Sequence, residues 1–566
     1  MPKTLIFLLL AAAGSASARP VFPSELFLAG GALRTCSDLA PGGCEAAPTP
    51  AATRMAPKFL VDDGGISRAL DPTLWQDRSG APARAELAAM LASARRDRGW
   101  ERIALEDKFA AHCAAHRCRD ESRQTPWSRL LDDERAGLFS ALEVPQLIDG
   151  IRPRERTQLA ASREQAGVDV LRAFVAAAAQ RAGGAAPRIA VVTASAQDSM
   201  EAVDFYLAAF EELGAHAQWW PVDAALHAAV FEQGRCDALD RLRRERLRQS
   251  GRDRAYPDLG AQQWRACLNP ESTAAVPEQV HGVFFAGGDQ WRHREAFFSA
   301  NDQPNAWLLA LRERHARGAV VVGGTSAGTA VQGGAAMLSN GTSAQALRGG
   351  ALGRLPMEPG CERAGRCPDD LSEDSLTYWP AGGLGLLPGW TVDTHFSERG
   401  RELRLLVLMH AANVDQAMGV DETSALHTVA GKGSLQIEAL GASGGWVFQR
   451  LPADGSGALA ARVHYLAPGA RIVVSADAVS GPETLTATLA KVRGDTAASS
   501  RDALDDGALR AAAARLARGD ITELRLRAGE GTVLLSRTPD TRAWRSPTGG
   551  VGVLNLSLRY ESETLP

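Results

Sequence analysis

Apolar positions along the chain follow two rhythms. From about residue 69 to 181 they recur at three- and four-residue spacing, as in "AELAAMLASARRDRGW" and "VDVLRAFVAAAAQRAGG", and this predicts amphipathic helices. From 187 onward short unbroken apolar runs take over. "PRIAVVTAS", "HAQWWPV", "VHGVFFAGG" and "AVVVGG" predict strands, with "SMEAVDFYLAAFEELGA" and "NAWLLALRERHARG" as helices between them. An earlier run, "ELFLAGGALRTCSD", predicts a further buried strand ending in a glycine turn.

Continuous apolar strands alternating with helices predict an α/β fold, a doubly wound and mostly parallel sheet covered on both faces. Ligands in such sheets sit beyond the carboxyl ends of the strands, so the loops "VTASAQDS", "FAGGDQWR" and "GGTSAGTA" are expected to gather at one edge. From about residue 423 the pattern turns to period two, in "SLQIEALGASGGWVFQRL" and "ARVHYLAPGARIVVSA". One helix, "DDGALRAAAARLARG", and the strands "ITELRLRAG", "GTVLLSRTP" and "VGVLNLSLRYES" follow. The expected organisation is a main domain over 19–470 with a helical insertion at about 45–186, then a C-terminal β-rich module over 471–566.

Composition narrows the class. A formal net charge of −4 over 566 residues argues against a nucleic-acid or other polyanion binder. The opening "MPKTLIFLLLAAAGSASARP" has a short basic start, an apolar core and a small-residue site, the signature of a signal peptide over 1–18 cut after Ala18. Its apolar run is too short to span a bilayer, so the expectation is a protein that is secreted or periplasmic and makes no membrane contact. The eight cysteines fall as near neighbours, Cys36 and Cys44, Cys113 and Cys118, Cys236 and Cys267, Cys361 and Cys367, and sequential disulfides are expected in an oxidising compartment. The segment "AHCAAHRC" also sets His112 and His116 beside two of these cysteines. A small disulfide loop accounts for the cysteines, and no metal site is assigned.

The candidate chemistry centres on G-T-S-A-G at 324–328, which has the nucleophile-elbow form, a serine raised on a sharp strand-to-helix turn between small residues. The pattern is weak alone and gains weight from the valine strand before it. A serine hydroxyl needs a base to take its proton and a third group to hold that base. Among eleven histidines, His395 stands where a strand-like piece meets a charged helix, in "GWTVDTHFSERGRELRLL". For the acid the residues leave Asp393, Asp421 and Glu422 open, the last two pointing to opposite faces if the segment is extended. The amide of Ala327 and those of the Gly287-Gly288 pair are candidate donors to an oxyanion.

Six ordered motifs, "FLAGGA", "IAVVTAS", "VFFAGGDQ", "GGTSAGTA", "VDTHFSERGRELRL" and "GVDETSAL", resemble those of the cyanophycinases and the related aspartyl dipeptidases, serine peptidases on a glutamine-amidotransferase-like fold. The resemblance implies that Ser326 is the nucleophile, His395 the general base and Glu422 the acid. It also implies an oxyanion hole at Gly288 and Ala327, and substrate contacts from Gln290, Asp393, Arg399, Arg401 and Arg404. The order serine, histidine, acid differs from that of α/β-hydrolase esterases, where the acid comes before the histidine. The implied substrate is cyanophycin, a polyaspartate chain bearing arginine through isopeptide bonds, cut to β-aspartyl-arginine dipeptides without metal or organic cofactor. An aspartyl-type dipeptidase acting on small peptides, and a non-catalytic binding protein on the same fold, are the alternatives. The chain departs from the pattern at Thr394, where the relatives carry glutamine, and the sequence leaves open whether it forms a homodimer.

Overall fold

The computed structural model describes residues 22–46, 56–75, 80–112, 125–475, 478–481, 496–519, 521–546 and 549–562. The expected signal peptide and the Cys113–Cys118 pair lie outside the described residues. Five strands run parallel: β1 (Glu25–Ala29), β2 (Arg188–Val192), β3 (His216–Trp219), β4 (Gly282–Phe285) and β5 (Val321–Thr325). They lie side by side in the order β1-β5-β4-β2-β3. Beyond β1 the sheet turns antiparallel, with Ser424–Ala430, Ser434–Gly441, Arg471–Ser475 and Val479–Ser480 completing nine strands. The whole is a mixed sheet whose parallel half runs to the edge strand β3.

Both faces of β1, β5, β4 and β2 are buried, as their unbroken apolar runs require. Phe27, Ile189, Val191, Phe284 and Val321 face the helices Gln165–Arg181 and Val203–Glu212. Leu26, Leu28, Ala190, Val192, Val283, Phe285 and Val322 face the other way, onto Trp307, Leu308 and Leu311 of the helix Ala306–Ala316. Phe174 shows how closely the first layer fits. Its ring packs edge-on to Phe27 and Phe284, and a Cβ on Gly323 of β5 would lie 2.8 Å from it, so glycine there makes the socket.

A second sheet of eight strands runs, by position, 496–502, 523–528, 531–545, 551–562, 459–466, 445–450, 416–420 and 390–394. Its last two strands, Trp390–Thr394 and Gln416–Val420, are parallel, and the end of this pair faces the end of β1. One face of the sheet, with Met418, Val420 and Val447, joins the core of the first sheet. The other face, with Ala417, Trp446 and Phe448, is covered by the helices Glu402–Ala411 and Ala508–Arg518. The C-terminal strands are thus hydrogen-bonded into the sheet that holds 390–394, through the pairing of Val551–Ser562 with Leu459–Leu466.

Among the described residues, three disulfides join Cys36 to Cys44, Cys236 to Cys267 and Cys361 to Cys367. The last closes a loop that packs on Leu131 and pairs Arg363 with Asp132 and Arg366 with Glu134, so it staples the N-terminal helical region to the α/β core. Among the described residues no helix is long and apolar enough to cross a membrane.

Because Phe174 fills a socket that cannot collapse around backbone glycine, Phe174→Ala is expected to cost about 3–5 kcal/mol. Urea denaturation checks this, and a midpoint unchanged from that of the parent protein would show that the helix does not hold the sheet.

Candidate active site

Three successive carbonyls at the end of β1 carry the site. Ala29 accepts the amide of Ser326 at 3.0 Å, Gly30 that of His395 at 2.8 Å, and Gly31 that of Thr423 at 2.9 Å. Ser326 ends β5, His395 follows the strand Trp390–Thr394, and Glu422 lies just past Gln416–Val420, so three strand ends from two sheets meet on one short segment. All three hanging residues have left-handed backbone, with φ of 52° at Ser326, 48° at His395 and 55° at Thr423. Such conformations cost about 1–3 kcal/mol each and cluster where a side chain must be aimed. The elbow itself needs small neighbours, since a Cβ on Gly328 would lie 2.1 Å from the Phe285 carbonyl oxygen.

The side chains form a continuous hydrogen-bonded line. Ser326 Oγ lies 2.8 Å from His395 Nε2, and His395 Nδ1 lies 2.8 Å from Glu422 Oε1. Asp421 points the other way, accepting the Ser397 amide at 2.9 Å, although the two acids lie in the turn between two strands and not in an extended strand. Asp393 does not face the imidazole either. It is buried and forked by Arg404, through Nε at 2.8 Å and Nη2 at 2.5 Å.

Burial lowers the proton affinity of His395 below the ordinary value, aided by Arg399 and Arg401 and opposed by Glu422. Burial by itself raises that of Glu422, but the hydrogen bond from His395, with Arg34 and Arg399 nearby, takes it below the usual carboxylate range. The line therefore holds a neutral imidazole against an ionised carboxylate near neutral pH. A base aligned on a hydroxyl in this state can take the proton as the oxygen attacks.

Around this line, Gly288 is exposed on the loop after β4 and Ala327 follows the serine. Among the described residues neither amide has an acceptor. Gln290 donates its amide to the carbonyls of Leu338 and Ser339, at 2.7 and 2.8 Å, which fixes the side chain, and among the described residues its oxygen has no donor. Arg399 is half exposed, with its guanidinium 4.0 Å from Glu422. Arg401 donates to the Thr394 carbonyl at 2.7 Å, and burial, together with Arg404, pushes its pKa down to about 9. Arg404 is spent on Asp393 and the Gly341 carbonyl. Thr394 is only 4 % exposed.

Against known sequences, a 180-residue stretch is 32 % identical to the cyanophycinase of Synechococcus elongatus, covering 31 % of this chain and 46 % of that protein. The chain resembles the cyanophycinases. The cyanophycinase of Trichormus variabilis is 28 % identical over 278 residues, 48 % of this chain and 68 % of its own. That of a Nostoc species is 32 % identical over 178 residues, covering 30 % of this chain and 49 % of that protein. The match thus spans about half the length of the Synechococcus and Nostoc cyanophycinases. No family model matches the chain. A solved peptidase from an acI-B1 Actinobacterium aligns over 56 % of this chain and 91 % of its own at 15 % identity and a TM-score of 0.28, too slight a likeness to fix the fold.

Two residues at the site were not picked out by the sequence. Arg34 reaches Glu422 Oε2 at 3.3 Å, and in an arginine-rich chain nothing marks it. Gly31 lies beneath the imidazole, where its own Cβ would stand 2.3 Å from His395 Cε1. Its signal was present in "FLAGGA", since a second glycine after a strand implies positive φ or a close approach. Gly31→Ala is expected to push the ring off the serine and lengthen the Ser326–His395 separation beyond about 3.2 Å, the outer range of a hydrogen bond. A crystal structure of the variant checks this. A ring left in place would mean that the segment has room to yield.

Proposed function

We propose that this protein is an exported serine-type exopeptidase that hydrolyses cyanophycin to β-aspartyl-arginine dipeptides. The observation that carries the reading is the unbroken line from Ser326 through His395 to Glu422, at 2.8 Å per link. Ser326 Oγ attacks the backbone carbonyl while His395 Nε2 takes its proton, and Glu422 holds the Nδ1 proton and stabilises the imidazolium. The amides of Gly288 and Ala327 receive the oxyanion. His395 then returns the proton to the leaving amine, and water cleaves the acyl-enzyme by the same steps in reverse order. No step calls for a metal or an organic cofactor.

The likeness to cyanophycinases supports the substrate. So does the charge at the rim, where Arg34 and Arg399, both more than half exposed, flank Glu422 and suit a substrate dense in carboxylate and carboxamide oxygens. Gln290 offers a fixed acceptor for a guanidinium. Asp393 and Arg404 serve the pocket from behind, holding the Thr394–His395 turn rather than touching substrate. We infer further that the parallel half is the doubly wound, glutamine-amidotransferase-like arrangement, supported by helices on both faces and a serine at the end of β5. The leader-like start and the cystine pairs support export.

Purified protein is expected to release dipeptides from insoluble cyanophycin, and Ser326→Ala to lower kcat by about ten-thousandfold or more while the protein stays folded. His395→Ala should be as damaging, and the double variant scarcely worse, since members of such a line act as a unit. Activity confined to free aspartyl dipeptides would move the reading to a dipeptidase, and binding without turnover to a polymer-binding protein.

The pH dependence has a definite sign. His395 must be neutral to act, and its pKa is lowered, so kcat/KM is expected to rise through a limb centred below pH 6.5 and to be level at neutral pH. Removing the Glu422 charge with Glu422→Gln should move that limb further toward acid, because the carboxylate is what opposes the lowering. A limb centred above pH 7.5 in the parent protein would contradict His395 as the base.

A further inference from the structure

The charged groups behind the acid reach outside the region that the cyanophycinase resemblance covers. Arg510 is in the first turn of the C-terminal helix Ala508–Arg518, which presents Leu509, Ala512, Ala513 and Leu516 to the second sheet. Its Nη1 donates to Glu398 Oε1 at 2.5 Å and to Asp421 Oδ2 at 2.8 Å. Glu398 Oε2 in turn accepts the backbone amide of Glu422 at 2.9 Å. Asp421, fully buried, uses its other oxygen for the Ser397 amide, and Gly507 donates its amide to the Ser397 carbonyl at 2.6 Å. The segment ahead of the helix therefore grips the turn that follows His395, while Arg510 holds the Asp421 side chain directly and the Glu422 amide through Glu398.

We propose that Arg510 is a positioning residue for this site, and that the C-terminal helix is a working part of it rather than an appended module. The proposal rests on the serine-peptidase reading given above. Arg510 is the cation shared by two carboxylates that otherwise face each other next to Glu422. Without it, Asp421 and Glu398 repel across a buried space, Glu398 swings out, and the amide of Glu422 loses its acceptor. The Glu422 carboxylate then no longer meets His395 in line. Ser326 and the cleft are untouched, so substrate still binds; what is lost is alignment of the base, which appears in the chemical step.

The test compares Arg510→Met, Arg510→Lys and Glu398→Gln in the full-length protein. Two readouts are followed, turnover of cyanophycin and the rate at which a fluorophosphonate labels Ser326, the latter independent of which peptide is the substrate. For Arg510→Met we expect kcat and labelling rate to fall about thirtyfold, with KM within about twofold and unfolding still cooperative. Arg510→Lys, which keeps the charge, should recover at least a third of that loss on a logarithmic scale. Adding Glu398→Gln to Arg510→Met should cost little more, because both act through one contact. Labelling of Arg510→Met at the parent rate overturns the proposal. So does a loss that tracks the unfolded fraction and is not relieved by lysine, which would make the role purely structural. A parent protein that labels at Ser326 but spares cyanophycin removes the substrate assignment and leaves this proposal standing, whereas a parent Ser326 inert to the probe overturns both.

Discussion

Everything at the site hangs on the three carbonyls of Ala29, Gly30 and Gly31. A strand that ends in two glycines exposes consecutive backbone acceptors with no side chains to obstruct them, and each acceptor takes the amide of a different arriving segment. The parallel neighbour β5 delivers Ser326, and the end of the second sheet delivers His395 and Thr423. The relative placement of hydroxyl, imidazole and carboxylate is therefore set by backbone hydrogen bonds, whose geometry is far stiffer than that of side-chain rotamers. The same bareness that opens the carbonyls lets the imidazole lie directly on Gly31.

Charge is arranged to support this frame from below. Burying a carboxylate alone is costly, and three beneath the site are answered by a guanidinium: Asp393 by Arg404, Asp421 and Glu398 by Arg510. Glu402, buried beside Asp421, has no such partner, and burial pushes its pKa up to about 8, so it sits there as the neutral acid. Glu422 is the carboxylate aimed at the imidazole, partly open and ionised. The compensated pairs leave little field from below to compete with it, so the proton affinity of His395 is governed by burial, by Glu422 and by the arginines at the rim.

How far this was written in the sequence depends on the range of the interaction. The parallel strands were legible because burial on both faces leaves unbroken apolar runs, and the serine turn because an elbow demands small residues at fixed offsets. Glu422 could not be told from Asp421 by residue type; the choice depends on which face of the chain meets His395, and that is decided by the Thr423 amide bonding to Gly31, almost four hundred residues away in sequence. The arginine-rich helix Leu239–Leu247 was passed over because charge masks its apolar period, although Leu239 and Leu242 are buried. The C-terminal helix was legible as a helix, but nothing in "DDGALRAAAARLARG" says that its second arginine-bearing turn continues to solvent while its first reaches two carboxylates beside the site.

The left-handed backbone at Ser326, His395 and Thr423 explains why two sheets are used instead of one. Each strained residue persists only if its surroundings over-determine it. A single parallel sheet fixes the residue at a strand's end through one neighbour, which suffices for Ser326, wedged between β1 and the glycines of its own turn. His395 and Thr423 lie past the ends of strands that do not touch β5, and their conformations must be held from the far side. The turn after His395 is clasped by Gly507, and the Asp421–Glu422 peptide by Glu398, itself held by Arg510. Removing that outer layer would leave the line of side chains chemically complete but with two of its three anchors free to relax toward ordinary backbone, and a shift that carries either 2.8 Å link beyond about 3.2 Å breaks it.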